Sequence, residues 1–179
     1  MRTPHDIKRV AVLGAGLMGH GIALELAAHR RLVCLHDVSE QLLDTAIAHA
    51  RVGLKALHQA GLISFDEIEA SISRISTSLD LSETVEGTDL VIEAVSENLE
   101  LKHSLFDKVD RIAPAHAVLV SNTSTFLPSA LAAATQRPLQ FAGVHYYNPP
   151  HLLPGVEIIK GPETSDATVQ LLTGFYQMI

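Results

Sequence analysis

The sequence has no tryptophan and one cysteine, and aromatic residues make up only 4% of its 179 positions. Cys34 has no intrachain partner for a disulfide, which suits a reducing compartment. No apolar run approaches the roughly 20 residues that a membrane-spanning helix needs. The polar start, Met1 to Asp6, lacks a signal-peptide layout. Cationic side chains are also in short supply, with 13 Lys and Arg against 20 Asp and Glu and a net charge of −7. A general nucleic-acid binder needs clustered Lys and Arg to displace counterions from phosphates, so that class is disfavoured. Apolar residues, in contrast, reach 47%. That is too many for a disordered chain, and the length suits one domain with a real core. Residues 1–179 therefore read as one soluble, cytoplasmic domain with no membrane segment.

Runs rich in β-branched residues alternate with longer helical patterns, the signature of βαβ units around a parallel sheet. Strands are expected from Ile7 to Leu13, Leu32 to His36, Arg74 to Ser78, Leu90 to Ala94, Val118 to Ser121, Phe141 to His145 and Val156 to Lys160. Helices are expected from Leu17 to Arg30, Ser39 to Ala60, Ser64 to Ile72, Leu99 to Ile112 and Ala167 to Ile179. Ser39 has the character of an N-cap and Gly61 that of a stop signal. Ser64-Phe65-Asp66-Glu67 has the spacing of a capping box. The fold class that follows is α/β: a Rossmann-type, doubly wound, mostly parallel sheet with helices on both faces.

Gly14-Ala15-Gly16-Leu17-Met18-Gly19 is a GxGxxG string between the first strand and the first helix. One glycine makes the tight turn, the next lets the main chain approach a pyrophosphate, and the third lets the helix lie close to the strand. The N–H groups at the opening of that helix, with Leu17 and Met18 in its first turn, then face negative charge. Alone the string is weak, because similar turns occur for packing or with FAD and S-adenosylmethionine. Asp37 supplies context at the end of the second strand. A carboxylate there can accept hydrogen bonds from both hydroxyls of an adenosine ribose and repels a 2′-phosphate. NAD is favoured over NADP, although a helix-cap or turn aspartate is an alternative reading of Asp37.

Three further strings follow strand ends, where open α/β sheets bind ligands. They are Glu93-Ala94-Val95-Ser96-Glu97-Asn98, Ser121-Asn122-Thr123-Ser124-Thr125 and His145-Tyr146-Tyr147-Asn148-Pro149. In this order, after GxGxxG, they resemble the NAD-binding domain of the L-3-hydroxyacyl-CoA dehydrogenase family, over nearly the whole chain from Val10 to about Lys160. The resemblance implies that His145 is a catalytic base, that Glu157 is its carboxylate partner, and that Ser124 bonds the substrate oxygen. It also implies cofactor contacts at Asp37, Glu97, Lys102, Asn122, Ser124 and Asn148, an acyl-CoA substrate and, when the family's C-terminal domain is present, a homodimer. The physical chemistry agrees. Oxidising a secondary alcohol requires a group to take the hydroxyl proton, and an imidazole oriented by a carboxylate suits that task.

Other readings of these residues remain open. Glu157 reads also as a strand-end carboxylate, Ser124 as a turn cap and Lys102 as a solvated lysine. His20, His36, His103, His116 and His151 show no metal-binding spacing, so no metal site is assigned. The family continues into a helical C-terminal domain, which this sequence does not contain. On the long second helix the groups available for CoA phosphates are Arg51, Lys55 and His58. Two other functions compete: a related NAD-dependent dehydrogenase of a small hydroxy acid without CoA, such as L-gulonate or carnitine, and a non-catalytic NAD-binding module.

Overall fold

The computed structural model describes residues 2–179, so Met1 of the polar start lies outside the described residues. Seven strands form one sheet: β1 (Arg9–Leu13), β2 (Leu32–His36), β3 (Ile75–Ser78), β4 (Leu90–Glu93), β5 (Val118–Ser121), β6 (Phe141–Tyr146) and β7 (Val156–Ile159). Their spatial order is β3-β2-β1-β4-β5-β6-β7. Every pair is parallel except the last, where β7 runs antiparallel to β6. The chain winds outward from β1 to β3 and then returns to the other side of β1 with β4. That reversal opens a crevice at the carboxyl ends of β1 and β4, the usual place for a ligand in such sheets.

The helices are α1 (Leu17–Ala28), α2 (Glu40–Gln59), α3 (Phe65–Ile72), α4 (Leu81–Val85), α5 (Leu99–Ile112), α6 (Pro128–Ala132) and α7 (Asp166–Tyr176). Strand alternation divides the core between the two faces of the sheet. Val10 and Val12 of β1 join Ile22 and Leu26 of α1 and Leu172 and Phe175 of α7 on one face. Ala11 and Leu13 join Phe106 and Val109 of α5 on the other. Phe106 meets Phe141 edge to face, with ring centroids 4.8 Å apart. Leu24 of α1 packs under α2 and α3 with Leu54, Leu57 and Ile68. Among the described residues no helix is long and apolar enough to cross a membrane.

Several expected boundaries move, each for a local reason. The first strand starts at Arg9 rather than Ile7, because Pro4–Asp6 forms a short 3-10 turn that ends on Ile7. The first helix stops at Ala28, and Arg30 then takes a left-handed conformation, φ 64°. The last helix starts one residue early, at Asp166, capped by the Ser165 side chain accepting from Thr168 N. Ser39 caps α2 as expected, accepting from Leu42 N, and Gly61 follows the helix with φ 74°. The capping box at Ser64 does not form. The Ser64 hydroxyl makes no cap bond, and Glu67 instead reaches Arg30 at 3.5 Å. The helices α4 and α6 have no counterpart in the sequence pattern, since five residues are too few to display a period.

Candidate active site

The glycine turn is built around two close approaches and one opening. Gly14 has φ 103°, and a Cβ there would stand 2.6 Å from the Ala94 carbonyl oxygen, where the chain leaves β4. Gly19 lies so near the Gly14 carbonyl that no side chain fits. Gly16 is different, because nothing lies within 4 Å of its Cβ position. It is also the N-cap of α1 and brings no side-chain cap to the first turn. The N–H groups of Leu17 and Met18 are thus those a helix leaves unpaired, beside open space and at the positive end of the dipole. A pyrophosphate fits this cradle.

Asp37 borders the same opening. Its Oδ2 accepts from Ala15 N at 2.8 Å and its Oδ1 from Ser39 N at 3.1 Å. Ser39, not Asp37, caps α2, so the helix-cap reading of Asp37 is set aside, while the bond from Ser39 N makes Asp37 a turn aspartate as well. The main chain fixes the carboxylate, and each oxygen keeps capacity for a ribose hydroxyl. A cavity of about 340 Å³ extends from here, between Gly16, Asp37 and Leu42 on one side and Val95, Leu101 and Leu105 on the other. Its walls are largely apolar, as a flat heteroaromatic base requires.

At the ends of β5, β6 and β7 three side chains form a line. Ser124 Oγ lies 2.9 Å from His145 Nε2, and His145 Nδ1 lies 2.9 Å from Glu157 Oε2. An ionised carboxylate only accepts, so Nδ1 carries the proton and Nε2 presents its lone pair to the Ser124 hydroxyl, which donates. The bond from His145, followed by Tyr147, holds the Glu157 carboxyl below its usual range. Glu157 in turn pushes the Tyr147 hydroxyl up. Ser124 is free for this contact because Thr123 does the capping. Thr123 Oγ1 accepts from Thr125 N at 3.2 Å and from Phe126 N at 3.1 Å.

The remaining expected cofactor residues occupy varied settings. Asn122 Oδ1 accepts from Tyr146 N at 2.9 Å and so ties the end of β5 to the end of β6. Asn148 is exposed, three residues beyond His145. Lys102 is not solvated: it is 1% exposed, with its Nζ 2.7 Å from Glu93 Oε1 and 3.0 Å from Glu97 Oε2. Burial opposes charge on Glu97, yet the hydroxyls of Thr123 and Thr125 and then Lys102 bring its carboxyl down to about 2. Sequence alone assigns no role to Glu93, Thr123 or Thr125. One signal is available for Glu93, a carboxylate closing the apolar strand Leu90–Glu93.

A doubly wound sheet with a glycine turn at its reversal and a carboxylate after β2 defines a dinucleotide-binding α/β protein. The chain belongs to the family described as 3-hydroxyacyl-CoA dehydrogenase, NAD binding domain, which it matches over residues 9–179. NAD is the cofactor for which that family is named, in keeping with Asp37. The mitochondrial hydroxyacyl-coenzyme A dehydrogenase of Sus scrofa is 40% identical over 94% of this chain. The structure of 3-hydroxybutyryl-CoA dehydrogenase from Escherichia coli superposes with a TM-score of 0.92 at 33% identity, covering 96% of this chain and 36% of that one. The (S)-3-hydroxybutyryl-CoA dehydrogenase of Ralstonia eutropha gives 0.92 at 31%, covering 96% and 60%. The chain spans about half the length of the mitochondrial hydroxyacyl-coenzyme A dehydrogenases it matches, 55% for the Sus scrofa enzyme, and 23% of the fatty acid oxidation complex subunit alpha of Psychrobacter sp..

Proposed function

We propose that residues 1–179 act as the NAD-binding domain of an enzyme that oxidises (S)-3-hydroxyacyl-CoA with NAD⁺ to 3-oxoacyl-CoA, NADH and H⁺. When the family's C-terminal domain is present, the resemblance also implies a homodimer. One observation carries the chemical part of the reading, the continuous line from Ser124 through His145 to Glu157. Removing hydride from C3 makes the hydroxyl proton acidic, and the unprotonated His145 Nε2 accepts it once the Ser124 hydroxyl has turned away. Glu157 keeps Nδ1 protonated and offsets the positive charge that then appears on the ring. Ser124 turns its hydroxyl from Nε2 to the substrate oxygen and keeps that oxygen aimed at the imidazole. Bound NAD⁺ supplies the hydride acceptor. The glycine turn and Asp37 hold its phosphates and adenosine.

A second reading, a small hydroxy acid without CoA, is favoured by one feature of α2. Arg51 pairs with Glu69, and His58 Nδ1 lies 3.1 Å from the Ile63 carbonyl oxygen. Two of the three groups available for CoA phosphates are therefore engaged elsewhere. The experiment compares turnover of 3-hydroxybutyryl-CoA with that of free 3-hydroxybutyrate by the intact protein. Strong preference for the thioester is the expected result. Equal kcat/KM on the free acid overturns the acyl-CoA assignment, and no turnover of either leaves an NAD-binding module.

A further inference from the structure

We propose that Glu93 is a positioning residue: through Lys102 and Ser121 it fixes Glu97 and the 122–126 turn, and so sets the affinity for NADH and the aim of Ser124. The inference rests on the reading that this chain binds NAD. Glu93 closes β4 and is fully buried, so it acts only through its neighbours. Its Oε1 accepts from Lys102 Nζ at 2.7 Å and from Val95 N at 2.8 Å, and its Oε2 accepts from the Ser121 hydroxyl. Its carbonyl accepts from Asn122 N at 2.8 Å. One residue thus ties the start of the loop after β4 to the end of β5 and to the first turn of α5.

The hold continues outward. Lys102 passes it to Glu97 Oε2 at 3.0 Å, while Glu97 Oε1 accepts from the hydroxyls of Thr123 and Thr125, the latter at 2.5 Å. Thr123 and Thr125 flank Ser124, so the residues on either side of the serine are clamped to one carboxylate. Of the three charged groups, Glu93 and Lys102 are buried and Glu97 alone keeps a substantial exposed surface, 39% of its side chain. The buried pair therefore neutralises itself and leaves one negative charge at the surface, held in a set place. Stability alone is a poor reason for this arrangement, since apolar residues of similar volume often serve a fold as well as a buried ion pair.

The test uses the intact protein and two variants. In Glu93→Gln the amide keeps an acceptor for Val95 N but gives up the charge that holds Lys102. In Glu93→Gln/Lys102→Met the buried pair is removed together, so no lone charge is left inside and the net charge of the group is unchanged. NADH affinity is measured by fluorescence titration well below the melting temperature, and needs no turnover. Loss of one charge-assisted bond is about tenfold in an equilibrium constant. Both variants are expected to weaken NADH binding by about that factor and to lower kcat, with KM for the acyl substrate little changed. A double variant that melts like the native protein yet binds NADH poorly separates positioning from folding. If the folded double variant binds NADH within twofold of native and keeps native kcat, the proposal is overturned. Because the titration contains no substrate, failure of the acyl-CoA assignment would not change its result. Native protein that fails to bind NADH overturns the cofactor reading itself and the proposal with it.

Discussion

His145 and Glu157 stand directly opposite each other in the antiparallel pair of β6 and β7, with Nδ1 and Oε2 2.9 Å apart. Their separation of twelve residues in sequence is closed by the loop that joins the two strands. Side chains opposite each other across a ladder lie on the same face of the sheet, so the register itself delivers the carboxylate to the ring. The one antiparallel strand at the edge of an otherwise parallel sheet is what creates this pair.

Replacing His145 with Gln removes the proposed base while leaving β6 and the cofactor crevice in place. Turnover by the intact protein is expected to fall by at least ~10²-fold, the usual scale for losing a general base. Glu157→Gln should also lower kcat, because the amide no longer fixes the ring nitrogen that carries the proton. NADH affinity in both variants should match the native protein by fluorescence titration. Native turnover in His145→Gln rejects the base assignment.

The two glycines of the turn should fail in different ways. Gly14→Ala places a methyl 2.6 Å from the Ala94 carbonyl at φ 103°, so a loss of about 1–3 kcal/mol in stability is expected, read by urea unfolding. Gly16→Ala meets nothing within 4 Å and should fold with an unchanged melting temperature. Its methyl occupies the space assigned to pyrophosphate, so NADH binding should weaken sharply. Native affinity in a well-folded Gly16→Ala protein argues against that placement.

The strands are legible in the sequence because most are short apolar runs with glycine or polar breaks, and the strings that follow them point to the carboxyl ends of the strands. Partners are less legible. Lys102 looks like any lysine near a helix start until the fold brings Glu93 and Glu97 within 3.0 Å of it. Glu67 matches a capping pattern, but the turn after α1 brings Arg30 within reach of its carboxylate. Thr123 and Ser124 are equally able to cap a turn by composition, and only the position of the His145 ring separates their roles. Spacing reports the period of an element, whereas these choices depend on residues that are distant in the chain.

Asp37 should govern the choice of cofactor. Asp37→Asn keeps an acceptor for Ala15 N and removes the charge, so NADH affinity is expected to fall by about tenfold. NADPH should lose less or gain, because the repulsion of a 2′-phosphate goes with the charge. Parallel titrations with both dinucleotides check this. An unchanged ratio of the two dissociation constants would show that the carboxylate does not face the ribose.

Glu25 predicts the pH dependence of stability. It projects from α1 into the interior near the paired hydroxyls of Tyr146 and Tyr176, which lie 3.1 Å apart, and burial raises its carboxyl from 4.5 to about 7. Unfolded, the group releases its proton near the ordinary value, while the folded protein keeps it to about pH 7. The folded state therefore binds the extra proton in that window, and stability falls as pH rises through it. The total loss above the window is on the order of 3 kcal/mol. Glu25→Gln cannot ionise, so it should be the more stable protein at pH 8 relative to native, with the difference shrinking toward pH 5. Melting curves at both pH values measure this, and parallel pH dependences for the two proteins would mean that the native carboxyl is not titrating there.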